Sequence, residues 1–144
     1  MRKIFFIVFI SIFIFSCKKK STTVTDPHID FVSISPSSAV EYVNSISITI
    51  SYDDADGDLG ENNANVSNLW VTDSRNNVQY SYRISQLAPD NANIHIRGNL
   101  NIVIKNTAIT DNSSSQQVTY SISLKDRAGN SSNTVTTTAI TVTK

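Results

Sequence analysis

An all-β fold, an antiparallel sandwich of seven or eight short strands in two sheets, is what this sequence predicts, on three observations. Apolar and polar residues alternate with period two along much of the chain beyond residue 28, the period of a strand with one face in a core. Ile and Val number 30 against 5 Leu and 1 Met, and β-branched side chains favour strands over helices. Clusters of Asn, Asp, Gly and Ser break the alternation at short intervals, and no window long enough for a helix carries an apolar stripe.

The strands follow in order. Residues 29–35 form the first, ended by Pro36. Ile46, Ile48, Ile50 and Tyr52 alternate with Ser47, Thr49 and Ser51 in the strongest half-buried pattern of the chain. Residues 68–72 come next, then a turn at 73–77, then Val78, Tyr80, Tyr82 and Ile84 against Gln79, Ser81 and Arg83. After a linker at 86–92, residues 94–97 and then Leu100, Ile102 and Ile104 read as one long strand that Gly98 splits with a bulge or turn. Residues 106–117 form a polar loop. Val118, Tyr120, Ile122 and Leu124 make another alternating strand, and the Thr-rich residues 133–142 close the fold.

Ahead of this body stands a different kind of sequence. Met1, Arg2 and Lys3 precede 12 residues, 4–15, that are apolar except for Ser11. A membrane span needs roughly 20, so this is the length of a signal-peptide core. Ile14-Phe15-Ser16-Cys17 resembles the lipobox of bacterial lipoproteins, which implies cleavage after residue 16 and a diacylglyceryl thioether on Cys17. As the single cysteine, Cys17 has no partner for a disulfide or a metal pair. Two or three acyl chains hold a protein on a bilayer almost permanently, at about 0.8 kcal/mol per buried CH2. Lys18, Lys19 and Lys20 then face anionic headgroups, and a cysteine followed by lysines is similar to lipoproteins of the Bacteroidetes. The organisation expected is a signal peptide at 1–16, a lipidated cysteine and polar tether at 17–28, and one domain at 29–144. The location implied is the outer membrane, facing the periplasm or the cell surface.

Two segments resemble the immunoglobulin-like and fibronectin type III-like domains of bacterial surface proteins. Tyr120-Ser121-Ile122-Ser123-Leu124-Lys125-Asp126-Arg127-Ala128-Gly129-Asn130 is similar to the strand and Asp-x-Ala-Gly-Asn turn that end such domains, and Tyr52-Asp53-Asp54-Ala55-Asp56-Gly57-Asp58-Leu59-Gly60 to the loop after their second core strand. The resemblance implies a tyrosine corner or a plain core tyrosine at Tyr120, a turn with positive φ at Gly129 and Asn130, and a tryptophan position at Trp70. Leu69 and Val71 point away from Trp70, so two readings stay open: a core tryptophan, or an exposed ligand platform. The cysteine pair of antibody domains is missing.

The densest chemistry lies in that second segment. Asp53, Asp54, Asp56, Asp58 and Glu61 put five carboxylates in nine residues, and hard cations with oxygen ligands relieve such repulsion. Asp54, Asp56 and Asp58 have the spacing of an EF-hand start, but Gly57 and Gly60 fall at the wrong places for one. In an immunoglobulin-like fold Asp126 would reach the same end and join the cluster. The ion expected is Ca2+, held with a dissociation constant on the order of 10⁻⁴ to 10⁻³ M. The competing expectation is a solvated acidic turn whose Asp side chains accept from local amides.

Catalysis finds no support in the spacing: His28 falls in the tether, His95 in a strand, and neither a nucleophile elbow nor a phosphate loop occurs. Beyond Ser21 the chain has 7 basic and 12 acidic side chains, which excludes nucleic-acid binding through a broad basic surface. The expectation is a non-enzymatic envelope lipoprotein whose partners are the bilayer and an envelope protein or glycan. Its rivals are a glycan- or protein-binding subunit that stacks its ligand on Trp70 or on the Tyr80 and Tyr82 pair, and a metal-dependent enzyme using the acidic loop. Tyr80 and Tyr82 alternate with polar neighbours and are expected to face the core.

Overall fold

The computed structural model describes residues 25–144; the leader, Cys17 and Lys18 to Lys20 lie outside the described residues. Those residues are all-β, with no helix among them. Ten strands form: β1 His28–Ser35, β2 Ser38–Val40, β3 Ile46–Asp54, β4 Leu69–Asp73, β5 Gln79–Tyr82, β6 Ile96–Ile104, β7 Ser115–Val118, β8 Tyr120–Leu124, β9 Val135–Thr136 and β10 Ile140–Thr143. They make three sheets, ordered β1-β3-β6, β2-β10-β7 and β5-β4-β8-β9. All pairings are antiparallel except that of β2 with β10.

β3 is the centre of the first sheet because its alternation buries Ile46, Ile48 and Ile50 completely. Facing them across one continuous core are Leu69 and Val71 of β4 and Tyr120, Ile122 and Leu124 of β8, an arrangement consistent with a β-sandwich. Each such side chain, fully buried, contributes about 1.5–3 kcal/mol.

Several expectations are corrected. Gly98 neither splits nor bulges its strand: β6 pairs with β3 without a break from Ile104↔Ile46 to Ile96↔Asp54. Tyr52 lies opposite, with its ring across the glycine, where an added Cβ would sit 2.9 Å from the Tyr52 hydroxyl. The irregularity falls instead in β1, between Phe31 and Ser33. Residues 118–124 are two strands in different sheets, since β7 pairs with β10 whereas β8 pairs with β4 and β9. Thr119 is the switch, exchanging hydrogen bonds with Ser74 at 3.1 Å in both directions. The closing segment divides beside it into β9 and β10, with buried Thr137 accepting from Tyr120 N at 3.0 Å. β7 also begins inside the expected polar loop, and His28 opens β1 rather than ending the tether.

The turn after β4 buries a charge pair that the sequence reading did not single out. Arg75 grips Asp73 with Nε and Nη2 at 3.0 and 2.7 Å, and both side chains are nearly inaccessible. The same guanidinium donates to Ala108 O, Gln116 Oε1 and Thr107 Oγ1, tying the turn to the loop before β7. The Asp73 hydrogen bonds outweigh burial and push the Arg75 pKa up, so the guanidinium stays charged. Tyr120 makes no tyrosine corner. It is fully buried, its hydroxyl has no hydrogen bond of good geometry among the described residues, and burial pushes its pKa up to about 12.

Candidate metal centre

The inward phase of β3 decides which aspartates meet. Residues 46, 48, 50, 52 and 54 share one face, so the register that buries the isoleucines also drives Asp54 to 0% exposure at the end of the strand. Asp53, one position earlier, points to the opposite face. It is half exposed, and its Oδ1 lies 2.7 Å from His95 Nε2. Asp53 is therefore not part of the cluster.

Beyond Asp54 the chain turns tightly under the segment that follows β5. Gly57 and Gly60 have φ of +77° and +98°, and an added Cβ would stand 2.2 Å from Ile94 O at the first and 2.3 Å from Ser85 O at the second. Only glycine meets both the dihedral and the close approach. Leu59 is buried between them, and its N–H donates to Asp54 Oδ2 at 2.8 Å. The loop is fastened to the turn after β8 as well: Ala128 N donates to Asp58 Oδ2 at 3.0 Å, Arg127 N to Asp58 O at 3.3 Å and Arg127 Nη1 to Gly60 O at 3.0 Å.

Asp54, Asp56 and Asp58 each bring one carboxylate oxygen into a group whose members all lie within 4.8 Å of one another. In all three residues Oδ1 is buried and has no hydrogen-bond partner among the described residues. Burial, against the opposing hydrogen bond from Leu59 N–H and helped by the neighbouring Asp56 and Asp58, pushes the Asp54 pKa up to about 6. The Asp58 carboxyl is also raised, by burial first and then by the charges of Asp126 and Asp56.

Asp126 does come to this end, as expected, but as a like charge beside Asp58. Its two oxygens accept from Asn130 N at 2.7 Å and Asn130 Nδ2 at 2.8 Å. Gly129 takes the positive φ of that turn; Asn130 does not, and serves through these two bonds instead. A cavity of about 330 Å³, lined in part by Asp56, Asp58, Asn91 and Asn93, opens beside the cluster. Asn91 belongs to the linker at 86–92 and Asn93 directly follows it, and neither was expected near the acidic loop; that closeness is set by folding alone.

Trp70 is half-buried on the outer face of β4 and so lies outside the core. It lines a cavity of about 150 Å³ with Glu61, Lys125 and Arg127. Tyr80 and Tyr82 pack against the core as expected, and the Tyr82 hydroxyl donates to Val103 O at 3.1 Å. His95 stands just before β6 rather than within a strand. Its Nε2 faces Asp53 and its Nδ1 lies 3.4 Å from Arg97 Nη2, a pairing invisible to sequence spacing.

Comparison with protein-family models, with curated proteins and with solved structures finds no match.

Proposed function

We propose that this chain is a lipid-anchored, non-enzymatic envelope module: an acylated Cys17, a short tether, and one immunoglobulin-like sandwich. The strand order supports that type. Taking β1, β3, β4, β5, β6, β8 and β9 as A, B, C, C′, E, F and G gives sheets A-B-E and C′-C-F-G, the grouping of immunoglobulin domains.

The observation that carries the anchoring is the run from lipobox cysteine straight into a strand. Ten residues, 18–27, separate Cys17 from β1, a reach of at most about 36 Å. The module therefore stays near the bilayer. β1 begins opposite Asp53, so the acidic loop is at the tethered end. The β2–β3 turn is at the far end and holds out Tyr42 and Val43, 70% and 73% exposed, where an envelope partner approaches.

Cells fed a labelled fatty acid test the anchor. Wild-type chain should carry the label and sediment with outer membranes, and Cys17→Ala should do neither; a labelled variant or a soluble wild type overturns the proposal. Protease treatment of intact cells then separates the cell surface from the periplasmic face.

A second reading, a glycan- or protein-binding subunit, is favoured by Trp70 and its cavity. Since Trp70 is the single tryptophan, acrylamide should quench the chain's fluorescence readily; a shielded, blue-shifted emission counts against the platform.

A further inference from the structure

We infer that Asp54, Asp56 and Asp58 form a binding site for one divalent cation, with Ca2+ as the ion that fits. A run of acidic residues in a loop would not by itself say so, because exposed carboxylates are satisfied by water. Asp54 is different: it is wholly buried, and while Oδ2 takes the Leu59 N–H, Oδ1 has no partner among the described residues; Oδ1 of Asp56 and of Asp58 is likewise buried without one, and the three carboxylates converge to within 4.8 Å. Buried carboxylate oxygens left unpaired are costly. Three that converge are costlier still, because each repels the others.

The division of labour within each carboxylate matters. In Asp54 one oxygen holds the loop's own backbone, in Asp58 one holds the turn after β8, and the other oxygen of each has no partner among the described residues. The acidic-turn expectation thus accounts for Asp54 Oδ2, which accepts a local amide, and leaves Oδ1 of all three residues without a role. The loop is also pinned by Gly57 against Ile94 and by Gly60 against Ser85, so it cannot easily swing its aspartates apart into water.

Geometry selects the ion. Two oxygens bound to one Ca2+ at 2.3–2.6 Å can be at most about 5 Å apart, and these atoms fall within 4.8 Å. One Ca2+ reaches all three with side-chain shifts of about a few tenths of an ångström. Mg2+, with bonds of 2.0–2.1 Å and a strict octahedron, caps that separation at about 4.2 Å and keeps several waters. The cavity beside Asp56 and Asp58 gives an ion a way in and room for the waters that complete its shell. Bound there, it links the loop after β3 to the turn after β8 through Asp58, whose Oδ2 already receives Ala128 N.

The test is thermal unfolding of the full chain in non-ionic detergent at pH 7.5, after chelation and then with 10 mM CaCl2 or MgCl2. With a dissociation constant on the order of 10⁻⁴ to 10⁻³ M, Ca2+ should raise Tm by about 5–11 °C, and Mg2+ by less than half of that. Asp56→Asn should lose the Ca2+ response while its chelated Tm stays at or above wild type, because a repelling charge is gone. Asp53→Asn, changed on the opposite face, should keep the full response. No Ca2+ shift in wild type overturns the site, as does a shift that survives in Asp56→Asn. An equal response to Mg2+ overturns the assignment to Ca2+. Should Asp54→Asn fail to fold, the Asp56 and Asp53 variants still decide.

Discussion

Replacing Arg75 by Met should cost this molecule about 3–5 kcal/mol, the penalty for breaking a buried ion pair by removing one partner. The structure places it in that class rather than with surface pairs: the Arg75 and Asp73 side chains are 6% and 1% exposed, and the contact is a two-pronged fork. Without the guanidinium, Asp73 keeps the Arg75 backbone N–H at 2.9 Å and loses its only counter-charge within salt-bridge distance among the described residues. Ala108 O and Thr107 Oγ1 lose a donor as well. For the 120 described residues, an unfolding entropy of about 2.1 cal/mol/K per residue gives roughly 0.25 kcal/mol/K, so Tm should fall by about 12–20 °C. Urea titration followed by circular dichroism measures the same loss at constant m value. Arg75→Lys keeps the charge without the fork and should fall between the two. The double change Asp73→Asn with Arg75→Met should recover part of the loss, since no buried charge is left alone. A loss below about 1 kcal/mol, the range of exposed pairs, would refute this account of the turn.

Other outcomes are as specific. Gly57→Ala should destabilise by about 2–4 kcal/mol by urea titration, since the new methyl meets Ile94 O at a positive φ. In chelator, the folded Asp54 carboxyl has its pKa pushed up to about 6, against an ordinary 3.8 in the unfolded chain. Its contribution is therefore fully present below about pH 4, is lost as pH rises through 6, and amounts to at most about 3 kcal/mol. The difference in Tm between wild type and Asp54→Asn across pH 4 to 7 reads it, and a difference independent of pH would refute it. Asn133→Ala should loosen the start of β1 by about 1–3 kcal/mol, seen as faster amide exchange at Ile29, because the Asn133 side chain accepts from Ile29 N and donates to Ile29 O, both at 2.8 Å.

What the sequence made readable was the facing of side chains. Period two identified the buried residues of β3, β4 and β8, because burial of alternate positions is what that pattern records. Hydrogen-bond partners leave no such mark. Val118 and Tyr120 stay in phase and are both buried, so the change of sheet at Thr119 is silent in the alternation. β2, three residues long, is too short to show a period at all. Gly98 was misread because a glycine in a strand signals a bulge equally well as a place for a neighbour's ring. Within the acidic loop, spacing alone grouped Asp53 with the rest. Carrying the phase of Ile46, Ile48 and Ile50 two steps further would have put Asp54 inside and Asp53 outside. The grip of Arg75 on Thr107, Ala108 and Gln116, 32 to 41 residues away, had no local signal.

Position gives the acidic loop a consequence beyond its own stability. His28 pairs with Asp53, so the first residue of the sandwich after the tether lies beside the strand end that carries Asp54. In the proposed anchored chain, a pull would enter the domain there, through the His28 and Ile29 pairs and the Asn133 clamp. That end is also where Asp54, Asp56, Asp58 and Asp126 gather, in a body that is formally −5 beyond Ser21. Were the chain anchored as proposed, such an end would be repelled by an anionic bilayer within the tether's reach. In that proposed arrangement the charges of Lys18, Lys19 and Lys20 in the tether sequence would offset part of this; an ion among the three aspartates would offset it from within, and would brace the strand end that carries the load.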